Sequence, residues 1–241
     1  MELGIEEKTA LDYFDGDTPC KGTFYTPENS AGALPVVLVC PAWDGLVQEV
    51  YDKAERLARE GYIAFVIDVL GEGKAMSDIA ELEATMGPFI KDRAMLLRRL
   101  NAALDAAKTI PGADTARIGV IGYCFGGLCA LDLARSGNPA IRAVVSFHGA
   151  LIANDLGDDA ISAHILVLHG NDDPLVPPQQ VSEFQQEMTR RQADWQLVSY
   201  GNTVHAFTRP GANMPEAGAL YNASTDRRSW QAMRNFLAEV L

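Results

Sequence analysis

Short runs of apolar, often β-branched residues alternate along the chain with longer stripes of apolar residues at helical spacing. Residues 36–40, 63–67, 118–121, 143–147, 165–168 and 196–200 form the short runs and read as strands. Leu46, Val50, Ala54, Leu57 and Ala58 form one helical stripe, and Leu96, Leu97, Leu100, Leu104 and Ala107 another. A third helix is expected from about Phe125, a fourth over 181–191, and a last one carrying Trp230, Met233, Phe236, Leu237 and Val240. Pro88, just after Gly87, suits the first turn of the helix at 96–107. Strands that are apolar throughout are buried on both faces, as in a parallel sheet covered by helices. The pattern therefore predicts an α/β fold with a doubly wound, mostly parallel sheet. The stretch up to Tyr25, with Asp15-Gly16 as a turn signal, adds an N-terminal antiparallel hairpin at the edge.

Composition narrows the class. The 241 residues are 48% apolar and 22% charged, which suits a globular protein and excludes a disordered, collagenous or disulfide-miniprotein chain. A chain of this mass buries about 70% of its unfolded surface. It is read as a single domain over 1–241, because 70–87 and 150–163 are too short for a separate lid. Twenty basic against 32 acidic side chains leave a net charge of −12. Such a surface repels phosphate backbones and anionic lipid, so nucleic acid and membrane are poor partners. No apolar run approaches the ~18–20 residues that span a bilayer. The opening residues Met1-Glu2-Leu3-Gly4-Ile5-Glu6-Glu7 are acidic and do not read as a signal peptide. Cys20, Cys40, Cys124 and Cys129 show no C-x-x-C or metal-finger spacing, so reduced thiols and a cytoplasmic location are expected.

In open α/β sheets, ligands gather outside the carboxyl ends of the strands. After the 118–121 run the chain reads Gly122-Tyr123-Cys124-Phe125-Gly126-Gly127 and then turns helical. A nucleophile elbow needs this layout: a strained central residue between strand and helix, with small residues two before and two after. A sulfur at a helix N-terminus also gains from the unpaired N–H groups there. Two plainer readings compete. Cys124 could be a small buried hydrophobe, or the glycines could belong to a dinucleotide loop, although their spacing is neither G-x-G-x-x-G nor a P-loop.

A thiol nucleophile needs a base, and the base an orienting acid, in the chain order that elbows use. Downstream lie the acidic turn His169-Gly170-Asn171-Asp172-Asp173-Pro174 and then Thr203-Val204-His205-Ala206-Phe207, each after a strand. His148 and His169 compete with His205 as base or stand as hydrogen-bonded structural residues, and His164 reads as a strand-start residue. No H-E-x-x-H or comparable pair suggests a metal.

These motifs resemble the dienelactone hydrolase family, cysteine-dependent members of the α/β-hydrolase superfamily. The likeness runs from Val36 to the terminal helix and rests on the Gly122–Gly127 hexapeptide, on Asp173-Pro174-Leu175-Val176-Pro177 and on His205-Ala206-Phe207. It implies an α/β-hydrolase fold with Cys124 as nucleophile, Asp173 as acid and His205 as base. The family's D-x-x-V-P pattern selects Asp173 over Asp172, which becomes a loop carboxylate or turn cap. The backbone N–H groups of Trp43 and Phe125 would form the oxyanion hole, and Arg209 matches an arginine that binds a substrate carboxylate. Arg93 is a second cation by position only. One departure stands out: Ala42 occupies the place of the glutamate that contacts the resting thiol in dienelactone hydrolases proper. Asp44 is expected to face solvent or cap a helix at Leu46 rather than replace that glutamate.

The resemblance implies a hydrolase that cleaves a small ester or lactone through a cysteinyl acyl-enzyme, with no metal or organic cofactor. The alternatives are a non-hydrolytic ligand-binding protein of the same fold and an acyl transferase using the same nucleophile.

Overall fold

The computed structural model describes residues 3–28 and 32–241. The chain divides into two compact units, one ending at Val120 and one beginning at Ile121.

The first unit opens with β1 (Ile5–Asp15) and β2 (Thr18–Pro27), an antiparallel hairpin in which Asp15 pairs with Thr18. Gly16 has a φ of +58°, so the turn signal marked the right place: glycine takes this left-handed setting without strain. Then follow β3 (Leu34–Cys40), α1 (Gln48–Arg59), β4 (Ile63–Val66), α2 (Ile79–Lys91), α3 (Arg93–Ala107) and β5 (Ala113–Tyr123), which crosses the boundary. The strand order here is β1-β2-β4-β3-β5, with the hairpin at the edge as expected. β3 and β4 run parallel and are buried almost throughout.

Three local expectations need correction. Pro88 lies inside α2, not in the first turn of the following helix. That helix, α3, starts at Arg93, where the Asp92 side chain accepts a hydrogen bond from the Met95 N–H at 2.9 Å. An aspartate cap fixes the start better than a proline five residues upstream. The first stripe's helix begins at Gln48 after Val47 rather than at Leu46. Asp44 neither caps it nor faces solvent: it is buried, and its carbonyl accepts the Met76 N–H at 2.9 Å.

Buried charges tie this unit together. Asp15, at the end of β1, accepts hydrogen bonds from Arg98 at 2.7 Å and Arg99 at 2.9 Å. Asp68, following β4, accepts from the backbone N–H groups of Lys21, Gly71 and Gly73 at 2.8–2.9 Å. A carboxylate so surrounded holds a loop in one shape without needing a counter-ion.

The second unit contains α4 (Phe125–Arg135), β6 (Ile141–Phe147), β7 (His164–Gly170), α5 (Pro178–Arg190), β8 (Asp194–Tyr200), a two-strand flap of β9 (Asn213–Met214) and β10 (Ala219–Leu220) around a short 3-10 helix, and α6 (Ala223–Val240). β6, β7 and β8 pair in that order, all parallel. β8 is the edge strand and is only half-buried, so its polar residues alternate outward. Arg135 on α4 reaches Glu187 on α5 at 2.8 Å and Asp132 at 3.4 Å, while Arg191 meets the same Glu187 at 3.4 Å. Two cations and two anions, all buried, staple the helix that follows Cys124 to its neighbour. The mixed, mostly parallel α/β architecture agrees with the sequence pattern. Among the described residues no helix is long and apolar enough to cross a membrane.

Candidate active site

β5 ends at Tyr123 and α4 begins at Phe125, leaving Cys124 alone in the turn with φ +55° and ψ −116°. No L-residue adopts this setting readily, and strain of about 1–3 kcal/mol is sustained only where neighbours enforce it. Gly122 and Gly126 are those neighbours. A Cβ on Gly122 would stand 1.9 Å from the Gly126 carbonyl oxygen. One on Gly127 would meet Ser146 Oγ at 2.5 Å, so the first turn of α4 lies close against the end of β6. The Cys124 N–H donates to the Phe147 carbonyl at 3.0 Å, fastening the elbow to that strand. Gly122→Ala is expected to lower the unfolding midpoint and remove activity together, at about 1–3 kcal/mol of stability, the usual cost of forcing atoms into a filled space. A thermal melt with an ester assay on the same sample checks it.

β7 delivers the acidic turn. Beyond Gly170 the chain bends back, with the Asp173 N–H on the Gly170 carbonyl at 3.1 Å and the Asp172 N–H on the Thr203 carbonyl at 2.9 Å. Asp173 turns inward and is buried, while Asp172 is exposed and accepts from the Asn171 side chain at 2.9 Å. One Asp173 oxygen accepts the Leu175 N–H at 2.9 Å; the other lies 2.8 Å from His205 Nδ1. Gly170 has no room for a side chain, since a Cβ there would meet the Thr203 and Val204 carbonyl oxygens at 2.6 and 2.7 Å. The loop that carries the histidine therefore crosses directly over the end of β7.

His205 is buried, and its Nε2 lies 3.1 Å from Cys124 Sγ. Its backbone is clamped by the flap: its N–H donates to the Gly218 carbonyl at 2.9 Å and its carbonyl accepts the Leu220 N–H at 3.1 Å. The flap also touches the Asp173 turn, because Gly218, at φ +64°, presses on Pro174, where a Cβ would come within 2.2 Å of Cγ. Three loops thus set one line, Asp173–His205–Cys124.

Charge follows the geometry. Burial alone would push the His205 pKa down, but the hydrogen bonds and charges of Asp173 and Cys124 outweigh it and carry it up to about 10. An imidazole of that basicity holds a proton near neutrality. Cys20, Cys40 and Cys129 are buried, and burial pushes Cys20 up to about 11 and Cys40 higher still.

The remaining candidates fall elsewhere. His164 starts β7 and bonds to Asp194 at 2.7 Å. His169 is buried near the end of β7, and burial lowers its pKa. His148 is buried with Nε2 2.8 Å from Thr208 Oγ1. Phe125 is the first residue of α4, where backbone N–H groups lack intrahelical partners. Trp43 and Ala42 lie, half-buried, in the first unit's turn after β3. Arg209 is half-buried and closes the turn after His205, its N–H on the Ala206 carbonyl at 3.0 Å. Arg93 opens α3. The flap was missed in the sequence, where two-residue strands carry no periodicity. Among the described residues no group of three or more His, Cys, Asp or Glu side chains is placed to hold a metal.

The sequence profile of the dienelactone hydrolase family matches residues 20–241. A solved structure described as a dienelactone hydrolase-like promiscuous phosphotriesterase from metagenomic libraries is 39% identical, covers 97% of this chain and 98% of its own, and superposes with a TM-score of 0.92. An uncharacterised protein of Caenorhabditis elegans is 40% identical over 149 residues, which are 59% of this chain and 92% of that protein. A Yersinia pestis protein named "putative carboxymethylenebutenolidase" is 27% identical over 229 residues, or 88% of this chain and 81% of its own. A family profile that spans nearly the whole chain, on a fold with an elbow cysteine, settles membership: the chain belongs to the dienelactone hydrolase family, a family of hydrolases.

Proposed function

We propose that the protein hydrolyses a small ester or lactone through a thioester on Cys124. The observation that carries this reading is the line of contacts from Asp173 to His205 at 2.8 Å and from His205 to Cys124 at 3.1 Å, inside a strained elbow. The Cys124 thiolate attacks the carbonyl carbon and forms a C–S bond, and the carbonyl electrons move to oxygen. The N–H group of Phe125, at the start of α4, receives that oxyanion, such a donor being worth roughly 2.7–4 kcal/mol in the transition state. As the tetrahedral intermediate collapses, the C–O bond breaks and the His205 imidazolium gives its Nε2 proton to the leaving alkoxide. Neutral His205 then removes a proton from water, which attacks the thioester carbonyl. The acid leaves and the thiolate is restored beside imidazolium. Asp173 keeps the Nδ1 proton of His205 in place throughout, and Arg209 attracts an anionic substrate group. The reaction needs no cofactor, and the substrate reaches the enzyme in the cytoplasm.

A panel of alkyl esters and lactones, with a phosphotriester included because of the metagenomic relative, tests the substrate class. The pH profile tests the mechanism. Below its pKa His205 is protonated and can serve the leaving alkoxide; above it that acid is gone. For an alkyl ester, kcat/KM should therefore hold through neutrality and fall as pH passes about 10. A fall centred instead near the ordinary histidine value of about 6.5 would exclude the pairing.

A further inference from the structure

His148 takes no part in the chemistry just described, yet it is one of the most constrained side chains in the second unit. It directly follows β6 at φ +39°, a left-handed setting that a residue this size keeps only when held. Its N–H donates to the Leu168 carbonyl at 2.9 Å. The side chain is 3% exposed, and its Nε2 lies 2.8 Å from the hydroxyl of Thr208, itself 1% exposed. Thr208 stands three residues beyond His205, so this bond ties the end of β6 to the loop that carries the base. The His148 ring centroid lies 5.0 Å from that of His205, with the planes at 67°, and 5.0 Å from that of Phe207, at 81°.

Asp173 and Cys124 hold His205 by its two nitrogens, at opposite sides of one ring. Two bonds of that kind fix the line between the nitrogens but not the tilt of the ring about that line. Because the Nδ1 and Nε2 proton directions lie slightly off that line, a tilt bends the bonds to carboxylate and sulfur together. The His148 ring, crossing the His205 ring at a steep angle, stands where it can stop that tilt.

Resting on the reading of His205 as the base, we infer that His148 is a positioning residue that fixes the plane of the His205 ring, with Thr208 as its tether. Several titratable groups face this pair of rings. Cys124 faces it from the cap of α4, Asp173 from the turn after β7, His169 from β7 through its interactions with Asp173 and His205, and Tyr123 from β5, its ring centroid 6.2 Å from that of His148.

Three variants test the role: His148→Ala removes ring and tether, His148→Phe restores a ring without the tether, and Thr208→Val removes the tether alone. His148→Ala is expected to lower kcat about 10²-fold, the scale of loss from a misplaced catalytic group, while KM changes little. His148→Phe should recover most of that loss, and Thr208→Val should fall between. The readout that a merely structural role would not move is the pH profile of Cys124 alkylation by iodoacetamide. Wild-type protein should react readily through neutrality, and His148→Ala should need a higher pH for the same rate, because a tilted imidazolium no longer supports the thiolate. A lowered melting temperature with unchanged kcat and an unchanged alkylation profile overturns the positioning role. Should His148→Ala not fold, Thr208→Val against His148→Phe carries the same comparison: identical wild-type kcat and profile in both overturns it. Cys124→Ala, run beside them, separates the two levels. If it is inactive while His148→Ala matches wild type, the reading of the site stands and the positioning role falls; if it is fully active, both fall.

Discussion

Cys124→Ala lowers ester turnover by roughly 10⁴- to 10⁶-fold, the scale of losing the nucleophile from a coupled triad. Alanine has the same backbone needs as cysteine at φ +55°, so the elbow, its Gly122–Gly126 contact and the fold should survive. The loss then belongs to the sulfur. Steady-state kinetics on an alkyl ester, with a circular dichroism melt as control, give the comparison. Mutating the other thiols supplies the contrast. Cys20→Ala and Cys40→Ala remove buried groups whose burial keeps them protonated, and they are expected to cost stability through the cavity left rather than activity. Cys124→Ser keeps a hydroxyl in place but loses the readily available anion, so it should also be poorly active near neutrality.

Asp173→Asn should cost about 10⁴-fold in kcat, as seen when the acid of a triad is replaced by its amide. The amide fits the same space, and its oxygen can still take the Leu175 N–H. Its NH₂ group, however, meets His205 Nδ1 as a donor and drives the proton to Nε2, the nitrogen that must accept one from water. The pH profile moves as well. Asp173 raises the His205 pKa, both as hydrogen-bond acceptor and as charge, so its removal lowers that pKa from about 10 and shifts the alkaline limb to lower pH. Asp172→Asn is the control. Exposed and bonded to the Asn171 side chain, it should leave both rate and profile in place. Equal losses in the two variants would remove Asp173 from its role.

How much of this could be read in advance depends on how local each constraint is. The elbow was legible because its steric demands fall on neighbours in sequence: Gly122 and Gly126 are needed by a turn of six residues, and the hexapeptide displays them. The strands were legible because burial on both faces leaves unbroken apolar runs, as β3, β4 and β7 show. Where burial is one-sided the signal weakens. α2 buries only Leu82 and Phe89, too thin a stripe to announce a helix, and Pro88 then drew the helix start to the wrong place. Asp44 was misread for a related reason. An aspartate before a glycine and an apolar stripe looks like a cap, but the chain folds it inward against the turn at Met76.

The choice between Asp172 and Asp173 came from the resemblance, and its physical basis is tertiary. The Asp172 N–H is held by Thr203 on the returning loop, and the chain leaves Gly170 so that the next side chain, not this one, points inward. The flap at 213–220 lay wholly beyond the sequence pattern. Its two-residue strands are held by His205 and Pro174 rather than by any propensity of their own. The same holds for His148. Its isolated position after a strand gave no hint of the rings of His205 and Phe207 that it meets, or of the Thr208 hydroxyl sixty residues away.

The central claim is the covalent bond to sulfur, and rapid acid quenching during turnover of a hindered, slowly deacylating ester, followed by peptide mapping, tests it most directly. The account predicts the acyl group on Cys124, released by neutral hydroxylamine as thioesters are. Recovery of the acyl group on any other residue, or steady turnover by protein whose Cys124 stays unacylated throughout, contradicts it.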